Sequence, residues 1–411
     1  MQVGIDYGSG HLDLDVADER MVQARHGSPA PRLDDPAEAV RNVLERPIGF
    51  PALRQALTPD DHVVIVVDEH LPRFRKLIAP VLEHVASARV APERISILCP
   101  PASSTELGEL QAAFSNVRVE VHDPADRKHL SYLATTRRGR RIYLNRSAVD
   151  ADQLVVMARR GFDPVLGYSG SEGAIYPALS DEATRKEMLD HLSLAVPGAK
   201  PWPARKEAAE VAWLLGSPFM VQIIDGPGDD VAHVIGGLAD TGEEGVRLLN
   251  ASWRVAMDTM PDLVIASLSG DAERHTFADF AQALACAARV VKPDGRIVLL
   301  SQAAPELGPG AELLREAEDP GLALKMVRAN LSADTAAAFQ WASAAQRATI
   351  YLLSSLPAEK AEELFTIPLD HAGQVQRLAS SAQALLLLCD AHKTLAEIVP
   401  VAGAHSEPVD G

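Results

Sequence analysis

Cysteine is scarce in this chain of 411 residues: Cys99, Cys286 and Cys389 are odd in number, far apart and never in CxxC spacing. That excludes a disulfide framework and a cysteine-built zinc site, and it fits a reducing cytoplasm. Long hydrophobic runs are missing too. No stretch approaches the ~20 uninterrupted apolar residues that span a bilayer, and Met1 to Asp6 does not read as a secretory leader. Positive charge is in deficit, with 39 Lys+Arg against 56 Asp+Glu and a net charge of −17. A groove for a polyanion depends on Lys and Arg neutralising phosphates, so nucleic acid is not the expected partner. The one basic cluster, Arg137 to Arg141, runs into the strand-like Ile142-Tyr143-Leu144 and reads as a solvated turn. Histidine pairs with HxH, HExxH or Hx3H spacing are absent, as is a Walker A loop.

What remains is an ordinary globular composition, 47% hydrophobic and 23% charged, long enough for two or three domains. Short β-branched runs alternate with segments of helical period, the signature of parallel sheets with crossover helices. His62 to Asp68, Phe74 to Ala86 and Ile95 to Leu98 read as strand, helix, strand. Further strands are expected at Val117 to Val121, Gln153 to Met157, Phe219 to Ile224 and Val231 to Ile235. A second series holds Leu263 to Ser267, a helix over Thr276 to Val290, and strands at Gly295 to Leu300 and Thr349 to Leu353. The fold class is therefore α/β: two α/β domains, 1–252 and 253–411, with largely parallel sheets and a cleft between them.

Ligands in open α/β sheets bind beyond the carboxyl ends of the strands, so three strand ends or loops are candidate sites. Asp68-Glu69-His70 follows an apolar strand. Asp68 there could hydrogen-bond a substrate hydroxyl and His70 could carry a proton, or Asp68 could simply cap the next helix. Gly167 to Gly173 is rich in small residues. Ser169, Gly170, Ser171 and Glu172 could cradle a phosphate with backbone N–H groups and hydroxyls, or could form a tight turn. Ser267 to Asp271 is equally a binding loop or a strand-to-helix connection. His191, near a helix end, interacts favourably with the helix dipole unless it is a metal ligand. Ala287 to Val298 reads like the late helix, turn and strand of S-adenosylmethionine-dependent methyltransferases, but the glycine-rich strand end that those enzymes need is not in register.

The order of Ile5-Asp6-Tyr7-Gly8-Ser9-Gly10, Pro47 to Leu53, Val63 to Pro72 with its Asp-x-x-x-Pro ending, Gly167-Tyr168-Ser169-Gly170 and Pro177 resembles the nickel-dependent lactate racemase family. The stretches Asp262 to Gly270 and Val290 to Leu300 extend the likeness into the second half. The resemblance implies a two-domain 2-hydroxy-acid racemase or epimerase. Its nickel-pincer nucleotide would be held by a tethering lysine and a nickel-binding histidine, with two further histidines moving the hydroxyl proton. Several of those positions differ here. Leu71 stands at an arginine position, Gly173 at the tethering lysine, Asp163 at one proton-moving histidine, and Pro100 to Ser104 replaces the loop that carries the other. Asp279 and Gln282 stand where the family has glutamine and lysine. His191 matches the nickel-binding histidine.

Three functions follow as expectations. The first is an isomerase of a small 2-hydroxy acid that binds the nickel-pincer nucleotide non-covalently through Ser169, Gly170, Ser171 and Glu172. In it His191 binds nickel, Asp68 takes the substrate hydroxyl, and His70 or Asp163 moves the proton. The second is a catalytically inactive paralogue that binds a nucleotide or hydroxy acid. The third is a different acid/base or metal chemistry built on Asp68, His70, Asp163 and Glu172.

Overall fold

The structure, a computed structural model, describes residues 1–68, 71, 74–100, 111–112, 114–198, 202–238 and 241–399. His70 and most of the loop from Pro100 to Ser104 lie outside them. Among the described residues no helix is long and apolar enough to cross a membrane.

The first unit is built on a six-stranded sheet in the order Val231–Gly237, Phe219–Asp225, Gln153–Arg159, Val63–Val67, Ile95–Cys99, Arg118–Val121. All neighbours are parallel except the first pair, which is antiparallel. The central strand Val63–Val67 is buried at every residue, as expected for a strand covered on both faces. On one face Leu77, Ile78, Val81 and Val85 of the Phe74–Ser87 helix pack against Ile65 and Ile97. On the other, Val64 and Val66 meet Ala208, Val211 and Ala212 of the Pro203–Leu214 helix. The basic run forms the turn of the hairpin Leu130–Thr135 and Arg141–Asn145.

The second unit has a five-stranded, all-parallel sheet in the order Thr366–Pro368, Ala348–Leu353, Gly295–Leu300, Leu263–Ser267, Leu385–Leu388. Helix Phe277–Val290 begins with a capping box from Thr276 and Asp279, which satisfies N–H groups that would otherwise lack partners. Ten of its residues are buried, between this sheet and the Thr335–Arg347 helix.

Chain order and spatial order part company at two places. The amino-terminal hairpin, Gln2–Tyr7 with Gly10–Asp15, packs Ile5 and Leu14 on Leu263, Ile265 and Val298 of the second sheet. The expected division at 252/253 assigns this hairpin to the first unit, but its core contacts lie in the second. The second place lies before Pro261. There the Gly242–Trp253 helix gives way to a strand, Arg254–Met257, which pairs with Leu395–Ile398 and Arg25–His26. Both partners are remote in sequence, so no local pattern announces the strand.

Truncating Ile5 or Leu14 to Ala should cost about 2–5 kcal/mol, the usual range for buried large-to-small changes. Hydrogen exchange should show the loss of protection in the strands Leu263–Ser267 and Gly295–Leu300, with Val63–Val67 unaffected.

Candidate functional site

Three neighbouring parallel strands of the first sheet end in charged residues. Asp68 directly follows Val63–Val67, and Arg159 and Asp225 close the next two strands. Because the strands are adjacent and parallel, their ends form a row at one edge of the sheet. The Arg159 Nε–H donates to Asp225 Oδ2. Burial works against the Arg159 charge, but Asp225, Asp279 and Asp68 more than compensate and raise its pKa. Asp279 comes from the second unit. Burial alone would raise its own pKa, yet His392, Arg159 and the Thr276 N–H and hydroxyl hold it down at about 2.

This row forms one wall of a cleft of about 570 Å³. Asp163, Ser169 and Trp253 continue the wall, and Thr276, Phe277 and Gln282 face it from the second unit together with His392 and Lys393. The turn holding His392 and Lys393 locks the two units together. Lys393 Nζ donates to the carbonyls of Gly226, at 3.0 Å, and Gly228, and lies 5.6 Å from the centre of the Trp253 ring. Asp390 accepts from Gly228 N at 3.1 Å and from the Ser269 hydroxyl at 2.8 Å. Trp253 Nε1 donates to the Asp225 carbonyl at 2.8 Å.

A smaller cavity of about 410 Å³ adjoins the cleft and shares Asp68, Asp163 and Ser169 with it; Gly170, Gly173 and Arg185 also line it. The loop Gly167 to Gly173 is pinned from below. Arg160, only 2% exposed, donates to Gln222 Oε1 (2.9 Å), Ser169 O (3.0 Å), Ser171 Oγ (3.0 Å) and Gly242 O (3.3 Å). Burial pushes its pKa down to about 10. Gly170 has φ +77°, and a Cβ there would stand 2.5 Å from the Arg159 carbonyl, so only glycine fits.

Of the residues singled out from sequence, Asp68, Asp163 and Ser169 line both cavities and Gly170 borders the smaller one. Asp163 Oδ1 already accepts from the N–H groups of Val165 (2.7 Å) and Leu166 (2.6 Å). The Ser169 hydroxyl donates to the Arg159 carbonyl at 3.3 Å. Ser171 is 1% exposed and engaged with Arg160, and neither it nor Glu172 lines a cavity wall. His191 ends a single 3-10 turn, Leu189–His191, and also lines neither cavity. Leu189 and Leu192 beside it are buried in the second unit's core. Ser269 is taken up by Asp390. Arg159, Asp225, Trp253, His392 and Lys393 were not singled out from sequence. The first two stand at strand ends as Asp68 does, and the strand-end argument applied evenly would have found them. The others carry no local signal.

His392 sits far below its usual pKa, first because of burial and then because of Lys393, against the opposing pull of Asp279 and Asp390. The unfolded chain therefore binds a proton here that the native state refuses, so stability should fall as pH drops below about 6.5. Asp279 adds to the loss as pH drops below its ordinary carboxylate value toward about 2. Chemical denaturation between pH 7 and 4 should show this acid slope, and His392→Gln should flatten it. Arg160→Ala should destabilise by about 3 kcal/mol or more, because several buried acceptors lose their donor at once. A thermal melt measures it.

The family model for the lactate racemase N-terminal domain matches residues 7–196. The lactate racemase of Thermoanaerobacterium thermosaccharolyticum is 27% identical over 192 residues, 43% of this chain and 44% of that protein, so the match spans less than half of the relative. In three dimensions the likeness is longer. The lactate racemase apoprotein structure from that organism superposes with TM-score 0.79 at 18% identity, covering 96% of this chain and all of the other. A structural-genomics protein of Thermotoga maritima gives TM-score 0.68 at 13% identity, over 90% of this chain and all of the other. At these identities the superpositions speak for the two-unit α/β fold. Over residues 7–196, then, the chain is similar to the N-terminal domain of lactate racemases.

Proposed function

We propose that the chain is a lactate-racemase-like isomerase acting on a small 2-hydroxy acid in the cleft between its two units. The reading rests on one observation: Asp68 and Arg159 line the cleft at adjacent strand ends inside the matched domain. An α-hydroxy acid presents a carboxylate and a hydroxyl on neighbouring carbons. A guanidinium has five N–H donors, and the Arg159 Nε–H is the one given to Asp225. Its terminal N–H groups are suited to the carboxylate. The Asp68 carboxylate then accepts the hydroxyl, and Trp253 and Phe277 offer apolar surface in the same cleft.

The nickel-pincer nucleotide, when bound, supplies a hydride acceptor for such an inversion. Its tethered form does not fit these residues. Gly173 has no amine, and a Cβ at that position would stand 2.7 Å from Leu166 Cδ1. His191 lines neither cavity, so it is not placed to complete a nickel sphere there. The form that the chain leaves room for is a non-covalent nucleotide in the smaller cavity, against Ser169, Gly170 and Arg185. Among the described residues no group of three His, Cys, Asp or Glu side chains could hold a metal ion, and Glu172 lies off the cleft. These findings concern Asp68, Asp163 and Glu172 of the alternative acid/base or metal cluster; its fourth member, His70, lies outside the described residues.

A second reading, a hydroxy-acid-binding paralogue without turnover, draws support from the same Gly173 and His191 geometry. One experiment separates the two. The chain is purified with and without co-expression of the cofactor's biosynthetic enzymes, and each form is incubated with L-lactate and D-lactate. Chiral chromatography and calorimetry are then read together. Interconversion by the co-expressed form supports the isomerase. Saturable binding with no interconversion replaces it with the binding protein, and neither result removes both. If the isomerase holds, Asp68→Asn should lower turnover by about 10²-fold, the lower end of what a positioned proton acceptor contributes.

A further inference from the structure

Among the described residues lining the cleft, one imidazole is present, and it arrives from near the carboxyl end of the chain. His392 is 8% exposed, and its buried Nδ1 has no hydrogen-bond partner in the protein. A buried polar nitrogen left unpaired costs about 1–3 kcal/mol, and native folds rarely retain one without a use. Its neighbour adds to the oddity. The His275 ring meets it edge-on with centres 5.8 Å apart. His275 Nε2 is engaged with the Ser269 carbonyl at 3.1 Å, while its own buried Nδ1 is likewise unpartnered.

The backbone around His392 is held unusually firmly. Lys393 N donates to Asp390 O at 2.9 Å and Thr394 N to Ala391 O at 3.2 Å. The side chains on either side, Asp390 and Lys393, both reach across to the Gly226 to Gly228 turn of the first unit. The turn that carries the ring is thus anchored to both units before any ligand arrives, the kind of support expected around a binding group.

We propose that His392 is the imidazole that the cleft presents to its ligand, taking the ligand's hydroxyl in a hydrogen bond opposite Asp68. This rests on the reading of the cleft as a hydroxy-acid site. The charged groups facing the ring are Asp279 from helix Phe277–Val290, Arg159 from the first sheet, and Asp390 and Lys393 from its own turn. Burial and the two cations outweigh the two carboxylates and leave the imidazole uncharged at neutral pH. An uncharged imidazole has one N–H and one lone pair, so it can give a hydrogen bond to a hydroxyl oxygen or accept one from a hydroxyl proton. A carboxylate at the same place could only accept. The pairing of Asp68 with His392 therefore gives the cleft a hydrogen-bonding group on each side of the ligand, one from each unit.

Diethylpyrocarbonate, which reacts with uncharged imidazole, tests this on the full chain with peptide mass spectrometry as the readout. His122 serves as the internal reference, being 1% exposed and bonded to the Ser180 carbonyl at 2.9 Å. His392 should react at least about tenfold faster than His122, and L-lactate or D-lactate should slow it saturably. The variant His392→Leu, with an unchanged circular dichroism spectrum, should bind lactate about tenfold more weakly by calorimetry, the loss of one good hydrogen bond. Reaction at His392 no faster than at His122 overturns the inference. So does fast reaction that lactate fails to slow when calorimetry shows that lactate binds. If lactate does not bind at all, the hydroxy-acid reading falls, and fast reaction at His392 still supports its place as the imidazole that the cleft presents.

Discussion

A guanidinium at the edge of a parallel sheet, largely out of water, has to be compensated, and much of the site follows from how Arg159 is. Asp225 meets it from the neighbouring strand and Asp279 from across the cleft. Were the second unit absent, Arg159 would lose one of its compensating carboxylates and Asp279 the cation that helps keep it ionised. The same charges that make the cleft polar also hold its walls in register, because a buried charge left unpaired is more costly than either partner kept.

The second constraint is mechanical. The Asp390 to Lys393 turn grips the Gly226 to Gly228 turn through a carboxylate on an N–H and an ammonium on two carbonyls. Lys393 also lies over Trp253, whose indole N–H ends on the Asp225 carbonyl. The latch and the charged row thus share Asp225, one through its carboxylate and the other through its backbone. Asp68 and His392 line one cleft whose walls these contacts hold together. Beneath the cleft, Arg160 does comparable work for the glycine loop, engaging Ser169 and Ser171 from within. The loop that reads as a phosphate cradle is therefore in large part a strut, with its serine hydroxyls directed inward.

Much of the architecture was legible in the residues because it is local. Val63–Val67 and Leu263–Ser267 are continuous apolar runs too short to be helices, and Phe277–Val290 carries helical spacing with Thr276 and Asp279 at its head. The strand Arg254–Met257 was not legible, since its pairing partners lie far away in sequence. Asp68 was found because a carboxylate after an apolar strand is a local signature. His392 was missed because its neighbours in sequence, Ala391 and Lys393, mark only a turn, and its significance comes from Asp279, Arg159 and His275.

By itself the sequence determined that the chain is an α/β protein of two parallel sheets with a charged strand end at Asp68, and that Gly173 and Leu71 are unable to act as amine or guanidinium. Those properties belong to residue chemistry and to periodicities of a few residues, which survive without coordinates. Only the tertiary structure decided that Arg159, Asp68 and His392 share one cleft, that His191 and Ser171 do not face it, and that the amino-terminal hairpin completes the second core. Each of these depends on contacts between segments tens to hundreds of residues apart, where burial and charge compensation rather than local pattern select the arrangement.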